Sequence, residues 1–518
     1  MRILFFFISL LFIVMGSKAQ ITENNTEWMQ YLEEMTDSEE RNPDDIEQLF
    51  DELSYLSEHP FNLQTVTKQD LERLPFLTDI QIENLLYYIY KYGPLVDNYE
   101  LKNVEAFDFQ TITYLLPFVY VGEPDKNSGD FQGKNRNRQA KQDLLLRSDY
   151  TFQKKAGYEK VSEEERSANP NKYYLGEPYY LSFRYGYQYG NIQLGIIGKK
   201  DAGEAFWNKH YKGFDYYAVN LNIKNTGIIE DLHIGDYRLS FGQGLVMNTN
   251  FFPGKTSDVR NINLKDRGVK RHISTNENNY FRGVAGTINY KNTQFRLFYS
   301  HRNQDANADS LFIYSFKTDG YHRVPNDILK KHTARIDMGG THIQWRNNSF
   351  RIGFTGIYYS FGGKELNPTP QPYNLFYLRG KDNFNFGLNY EYRDRKISFQ
   401  GETAVDALGN PATINNLSIN PISTIDWILS YRNYTRDYNA FYGKAFGESS
   451  TVQNETGFYT GIRFYPLRKW ELSAYIDYFR FPWLKYGINS PSSGTDGLIR
   501  LVYKHNSQLQ MNLRYKYK

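Results

Sequence analysis

The chain has 518 residues, of which 23% are charged and 17% aromatic, with a net charge of +3 and no cysteine. The lack of cysteine excludes disulfide bridges and thiolate metal sites. The mean hydropathy is −0.64, and no apolar run after the first residues approaches the roughly 18 that a spanning helix needs. Any membrane segments are therefore expected to be strands, whose alternating pattern a hydropathy average does not reveal.

Residues 1–19 have the pattern of a cleavable secretory signal peptide. Arg2 precedes an apolar run over 3–14, and small residues flank Lys18 just before Gln20. We expect the mature chain to begin at Gln20 and to be exported to the periplasm or beyond. No cysteine follows the cleavage site, so a lipid anchor is not predicted.

Residues 20–121 are predicted to form an acidic helical domain. They hold 5 basic and 21 acidic residues, a net charge of −16, whereas the rest of the mature chain carries +17. Apolar residues at three- and four-residue spacing predict a helix over Asp45–Leu56, and capping boxes predict helix starts at Thr67 and Thr78. The two parts of the chain thus carry opposite charge, although a charge surplus is often only a solvated face.

Residues 62–119 resemble the tandem helix-hairpin-helix domain of competence-type DNA-binding proteins. The resemblance rests on Asn62-Leu63, the Leu-Glu-Arg-Leu-Pro segment ending at Pro75, Tyr92-Gly93-Pro94 and Pro117-Phe118-Val119. It implies two hairpins, formed by Pro75, Phe76, Leu77 and Thr78 and by Ala106, Phe107 and Asp108.

Both hairpins depart from the pattern of that family, which grips DNA through bare backbone amides of a Gly-x-Gly turn. Phe76 and Thr78 occupy the glycine positions of the first hairpin, and Ala106 and Asp108 those of the second. A bulky ring, a carboxylate and the net charge of −16 all oppose phosphate binding. We therefore expect protein docking or scaffolding, or plugging of a barrel, rather than DNA binding. The aromatic candidates for docking contacts, which would otherwise close the small core, are Phe76, Phe107 and Phe109.

Residues 122–141 lack periodicity and are predicted to be a flexible linker. Residues 142–518 are predicted to form an antiparallel transmembrane β-barrel. Every second residue is aromatic or leucine over Tyr179–Tyr189, and the pattern returns at 384–393 and at the chain end over 509–517. Such outward aromatic residues are typical of the interface girdles of closed membrane barrels.

At about 25 residues per strand and loop, the barrel is expected to have about 14–16 strands, an even number. Segment 438–445 is among the predicted strands. The short join Lys291-Asn292 is predicted to be a periplasmic turn. The longer stretches 246–279, 361–383 and 481–496 are predicted to be external loops or an inward-folded plug.

Three groups of barrel residues are candidates for a functional role. Glycines near a strand end predict a barrel corner or a ligand contact, and they are Gly235, Gly242 and Gly244. A basic stretch predicts an anion-binding loop or a solvated loop, and its members are Lys265, Arg267, Lys270 and Arg271. Inward arginines are expected either to attract anions or to pair with inward carboxylates, and these side chains are Arg184, Arg393, Arg463 and Arg514 with Glu391, Glu471 and Asp477.

No sequence feature indicates an enzyme. No serine motif marks a nucleophile, no histidine pair has the spacing of a zinc helix, and no phosphate loop is present. His233 and His342 are the only histidines worth inspection, and both are expected to be packed strand residues. No catalytic residue, metal or cofactor is therefore predicted.

The sequence favours a non-enzymatic outer-membrane barrel of a Gram-negative bacterium. Its periplasmic helical domain would act as a protein-docking or barrel-gating module in transport or envelope assembly. The expected partners are outer-membrane lipid and a periplasmic protein. The alternative is a DNA-binding or DNA-uptake protein at the cell surface, in which the basic barrel supplies the grip that the acidic domain lacks.

Overall fold

The structure is a computed structural model that describes residues 28–36, 43–71, 73–122, 140–207, 212–252, 254–394, 396–422, 424–467, 469–504 and 509–518. The predicted signal peptide, and all of the predicted linker except its ends, lie outside the described residues.

The N-terminal part is a small helical domain. Its helices are α1 (Trp28–Thr36), α2 (Pro43–Glu58), α3 (Lys68–Leu71), α4 (Asp79–Tyr92) and α5 (Phe109–Leu115), and its two short parallel strands are β1 (Phe61–Asn62) and β2 (Val119–Tyr120). Thr78 caps α4 through a reciprocal capping box with Gln81. The Gln81 side-chain amide also donates to the Ala106 carbonyl at 2.9 Å and so ties the two predicted hairpins together.

The remainder is a strand-rich domain. Its helices are α6 (Glu163–Ala168) and α7 (Pro325–Lys330). Its strands are β3 (Lys141–Tyr150), β4 (Tyr179–Tyr189), β5 (Ile192–Lys200), β6 (Tyr216–Thr226), β7 (Ile229–Ser240), β8 (Gly268–Arg271), β9 (Phe281–Tyr290), β10 (Thr293–Gln304), β11 (Ala306–Ala308), β12 (Phe312–Phe316), β13 (Ala334–Arg346), β14 (Phe350–Ser360), β15 (Glu365–Leu366), β16 (Asp382–Arg393), β17 (Ile397–Asp406), β18 (Pro411–Ile419), β19 (Ile425–Tyr434), β20 (Glu455–Leu467), β21 (Trp470–Phe481), β22 (Ser492–Lys504) and β23 (Gln510–Tyr517).

Within the described residues, 18 of these strands form one closed barrel, and β11, β12 and β15 form a separate small sheet. The four-residue β8 pairs with the end of β7 at Tyr237–Ser240, past the stretch in which β7 pairs with β6. The other 17 strands form the wall. The prediction of about 14–16 strands is therefore wrong. It assumed about 25 residues per strand and loop, whereas turns as short as Lys291-Asn292 at one end leave room for more strands.

The barrel wall has an apolar outside, and its inside carries polar side chains as well as apolar ones that belong to the lumen core. Along β10, Phe295, Leu297 and Tyr299 are exposed, whereas Arg296, Phe298 and Ser300, which alternate with them, are buried. Strand β16 repeats the pattern, with exposed Phe384, Phe386 and Leu388. An apolar, partly aromatic exterior fits a bilayer and not water. The chain is therefore an outer-membrane β-barrel. Among the described residues, no helix is long and apolar enough to cross a membrane.

Two chain segments fill the lumen. The first lumen segment, 241–252 with 254–279, follows β7 into the barrel, and the second lumen segment, 435–454, links β19 to β20. They meet in the middle, where the Asn248 amide donates to the Tyr442 carbonyl at 3.0 Å and the Lys444 amide to the Gly244 carbonyl at 2.9 Å. Segment 438–445 is not a strand, so that prediction is wrong. Its aromatic residues pack against the lumen core and not against lipid.

Candidate functional site

The helical domain occupies the barrel mouth at which the strands are joined by short turns. Its Glu83 lies 3.6 Å from Arg393 at the end of β16, and its His59 lies 3.0 Å from Asp143 near the start of β3. Its Asp108 accepts a hydrogen bond from Tyr465, near the turn between β20 and β21. Short turns are the periplasmic ends of outer-membrane barrels, so the domain lies on the periplasmic side.

Glycines and a wall carboxylate hold the first lumen segment in place. At Gly235, with φ of 100°, an added Cβ would lie 2.1 Å from the Val219 carbonyl oxygen, so β7 can bend there only with glycine. Gly242 and Gly244 also have positive φ, and the backbone between them turns around Glu402 of the wall. Glu402 accepts hydrogen bonds from the backbone amides of Gln243 at 2.6 Å and of Leu245 at 3.1 Å.

The first hairpin, 75–78, contacts the basic stretch of the first lumen segment. The Lys265 ammonium donates to the Leu74 carbonyl at 3.2 Å and to the Leu77 carbonyl. Phe76 is buried in the core of the domain, where its ring contacts Tyr31 and Tyr114. It therefore does not form a docking rim. Phe107 is partly buried against the same core, and Phe109 is exposed.

Glu52 of α2 is the acidic centre of a second contact with the lumen. Its carboxylate lies 3.5 Å from Arg238 of β7 and 3.8 Å from Arg73 of its own domain. Burial alone would raise the pKa of Glu52, but the charges of Arg238, Lys270 and Arg73 outweigh it and hold the pKa at about 2. The negative charge of Glu52 thus helps to hold the domain against the lumen.

We expect this contact to persist into acid. Because the pKa of Glu52 is lowered, its stabilisation is complete above the ordinary value of 4.5 and is lost as the pH falls through about 2. The measurement is the distance distribution between two spin labels attached to the double variant Tyr90→Cys and Leu408→Cys, since the chain has no cysteine of its own. The distance distribution should stay narrow from neutral pH to about 4.5 and should broaden as the pH falls towards 2. Glu52→Gln should spread the distances already at neutral pH, and Glu105→Gln, at an exposed carboxylate, should not. A spread that begins at neutral pH in the unmutated protein would contradict this assignment.

The second hairpin, 106–108, contacts the wall itself. The Asp108 carboxylate accepts hydrogen bonds from Arg463 at 2.8 Å and from the Tyr465 hydroxyl at 3.2 Å, and it also caps α5. Burial would raise the pKa of Asp108, but the charges of Arg463 and Arg260 hold it below its ordinary value. Arg463 is also 3.2 Å from Glu471 of β21, so the wall orients it towards the hairpin.

One apolar side chain of the first lumen segment enters the helical domain. Phe251 is 8% exposed and belongs to the core cluster of the helical domain, not to the lumen core. Its neighbour Phe252 packs against the lumen core. The two adjacent rings therefore connect the two parts of the molecule through apolar contact as well as charge.

Two cavities lie between the domain and the barrel. One, of about 630 Å³, is lined by both hairpins, by Phe251 and Phe252 and by wall residues such as Lys396. The other, of about 560 Å³, is lined by α2 and by the basic residues of the first lumen segment. Both fall within the size range of small-molecule sites.

The structure places the two predicted hairpins and the basic stretch in one region, whereas Gly235 lies in β7 and Gly242 and Gly244 lie in the lumen. The hairpins and Lys265 meet at the periplasmic mouth, with Lys270 and Arg271 beside α2, so the basic stretch is not an external loop. Of the inward arginines, Arg393 pairs with Glu391 and Arg463 with Glu471.

Both inspected histidines are packed strand residues. His342 stacks on Phe241 with ring centroids 4.5 Å apart, and its Nδ1 is 2.8 Å from the Thr355 hydroxyl. His233 lies 2.6 Å from Asp231. Sequence reasoning missed Glu52, Phe251 and Glu402, because nothing in the local sequence distinguishes them from other helix, loop and strand residues.

No protein-family model matches the chain, and no curated protein matches it at a significant level. Among solved structures, the chain is similar to the anion-selective porin from Comamonas acidovorans, with 10% identity, 73% of this chain and 100% of the porin covered, and a TM-score of 0.29. It is similar to OccK11 (OpdR) from Pseudomonas aeruginosa, with 11% identity, 73% and 88% covered, and a TM-score of 0.34. It is also similar to OccK2 (OpdF) from the same organism, solved with glucuronate, with 11% identity, 73% and 89% covered, and a TM-score of 0.34. All three likenesses are remote.

Proposed function

We propose that the protein is a non-enzymatic outer-membrane barrel whose acidic helical domain gates the periplasmic mouth. The observation that carries the proposal is the ion pair between Asp108 of the second hairpin and Arg463 of the wall. The domain lies across the mouth and is fixed by charge, by hydrogen bonds from Lys265 and by the apolar contact of Phe251. The opposite charges of the two parts of the chain thus neutralise each other inside one molecule.

The first lumen segment would make the gate move as one unit with the domain. Phe251 joins the segment to the domain core, and Asn248 joins it to the second lumen segment. Displacement of the helical domain therefore pulls on the chain that fills the lumen.

Two observations weigh against the nucleic-acid alternative. Both hairpins, the elements with which related DNA-binding domains would grip a phosphate, face the barrel. The basic stretch, which would have to bind the DNA phosphates, lies against α2 inside the barrel mouth. Duplex DNA would have to displace the domain before it reached either surface.

The gate is tested by reversing the charge of Asp108. Asp108→Arg faces Arg463 and Arg260, and losing a buried charge pair costs about 2–5 kcal/mol. We expect the unmutated protein to be closed in planar bilayers. The open probability of Asp108→Arg should be higher by a factor of at least several tens. Glu105→Arg, with the same change of charge at an exposed position, serves as the matched control and should stay closed. If Asp108→Arg releases the domain, as shown by spin-label distances, and the barrel still does not conduct, the domain is not the gate.

A second candidate function, protein docking, is favoured by exposed aromatic residues on the helical domain. Tyr90 is 87% exposed and Tyr99 73%, and neither lines the two cavities at the barrel mouth. A photocrosslinking residue at Tyr90, in intact cells, would capture a periplasmic partner if one docks there. The same residue at Leu408, on the opposite face of the molecule, is the control.

A further inference from the structure

The cavity of about 560 Å³ between α2 and the first lumen segment has a strongly cationic lining. Nine lysines and arginines line it against five aspartates and glutamates. The cations come from the wall, from the first lumen segment and from Arg73 of the helical domain, so both parts of the chain contribute to the excess.

Lys270 is a side chain whose charge this arrangement compensates only in part. Its ammonium is buried and has no hydrogen-bond partner among the described residues. Its charged neighbours are Arg267, Arg73 and Arg238, with Glu52 as the counter-charge. Glu52 is already shared between Arg238 at 3.5 Å and Arg73 at 3.8 Å. A buried ammonium without a partner costs several kcal/mol.

The neighbouring Arg271 has spare donors as well. Among the residues that the structure describes, its guanidinium makes one long hydrogen bond, 3.5 Å to the Tyr55 hydroxyl, and it lies 5.7 Å from the centre of that ring. A guanidinium has five N–H donors in a fixed fork that matches the oxygens of phosphate and carboxylate. The cavity therefore presents the Lys270 ammonium and the Arg271 guanidinium together.

We propose that this cavity binds a small multivalent oxyanion of the phosphate class, held by Lys270 and Arg271 between the helical domain and the first lumen segment. The excess of four cations in the lining is more than a single carboxylate can neutralise. A soluble anion is implied and not a lipid headgroup, because the lining consists of residues of the helical domain and of the lumen. The ligand bridges the two parts of the chain and stabilises the docked state by mass action. The site stands whether or not the barrel opens.

The test is calorimetric titration of the full-length protein in detergent with pyrophosphate, inorganic phosphate and acetate. We expect pyrophosphate to bind more tightly than phosphate, and acetate to bind least. Lys270→Met should weaken pyrophosphate binding about tenfold or more, because a charge-assisted hydrogen bond is lost. Lys291→Met removes the same charge from an exposed turn and should change the affinity less than about twofold.

Two further variants keep the outcome decisive. Arg271→Gln should weaken pyrophosphate binding by a similar factor. It tests the same site if Lys270→Met does not fold. Lys270→Arg retains the charge and should retain binding. Absence of binding at millimolar pyrophosphate would overturn the proposal. So would equal binding of acetate and pyrophosphate, or an equal loss in Lys270→Met and Lys291→Met, since each points to unspecific attraction.

Discussion

Replacing Arg432 by methionine is expected to lower the free energy of unfolding of the barrel by about 3–5 kcal/mol, because it removes the cation that pairs with buried Glu455 and leaves buried Asp477 with Lys255 alone. Arg432 is fully buried in β19, where it lies 2.5 Å from Glu455 and 2.8 Å from Asp477. Glu455 also accepts amide hydrogen bonds from Glu448 and Ser449, so it holds one end of the second lumen segment. The variant is therefore expected to loosen the lumen as well as the wall.

The measurement is urea unfolding of the protein refolded in lipid vesicles. Arg335→Met removes an arginine that is half exposed and pairs with Asp337, and it should cost less than about 1 kcal/mol. Adding Glu455→Gln and Asp477→Asn to Arg432→Met should restore most of the loss, because no charge then remains unpaired. Equal effects of Arg432→Met and Arg335→Met would show that the buried network does not stabilise the barrel.

Truncating Phe251 to alanine is expected to release the helical domain without unfolding the barrel. Removing a buried phenylalanine side chain costs about 3–5 kcal/mol. Here the ring belongs to the core of the helical domain while its backbone belongs to the first lumen segment, so the cost falls on their association. Spin labels at Tyr90→Cys and Leu408→Cys should show a broad distance distribution where the unmutated protein gives a narrow one.

Phe252→Ala is the matched control, since Phe252 is adjacent in the chain but packs against the lumen core. It should leave the distance distribution narrow and act instead on barrel stability. If both variants behave alike, the ring of Phe251 has no particular part in holding the domain. The association of the helical domain with the barrel would then depend mainly on the ion pairs of Asp108 and Glu52.

Patterns of neighbouring residues, namely alternation and capping boxes, were sufficient to predict most of the strands and helices. Alternation over Tyr179–Tyr189 and over 384–393 predicted wall strands with an apolar outer face; both segments are barrel strands, and burial alternates along the second. The capping box at Thr78 predicted the start of α4. These signals depend on neighbouring residues only. The same reasoning went wrong at 438–445, whose aromatic residues belong to the lumen, because alternation does not distinguish a lipid-facing ring from one buried in a plug.

The sequence by itself determined that the chain divides into an acidic helical part and a basic strand part. Only the tertiary structure decided that these charges meet, with Asp108 against Arg463 and Glu52 against Arg238. These partners are separated by 355 and 186 residues along the chain. Charge in a sequence gives the sign and size of a surplus but not its direction in space. That direction is set by where the barrel closes and by how the first lumen segment folds back through it, and both depend on contacts between residues that are distant in sequence.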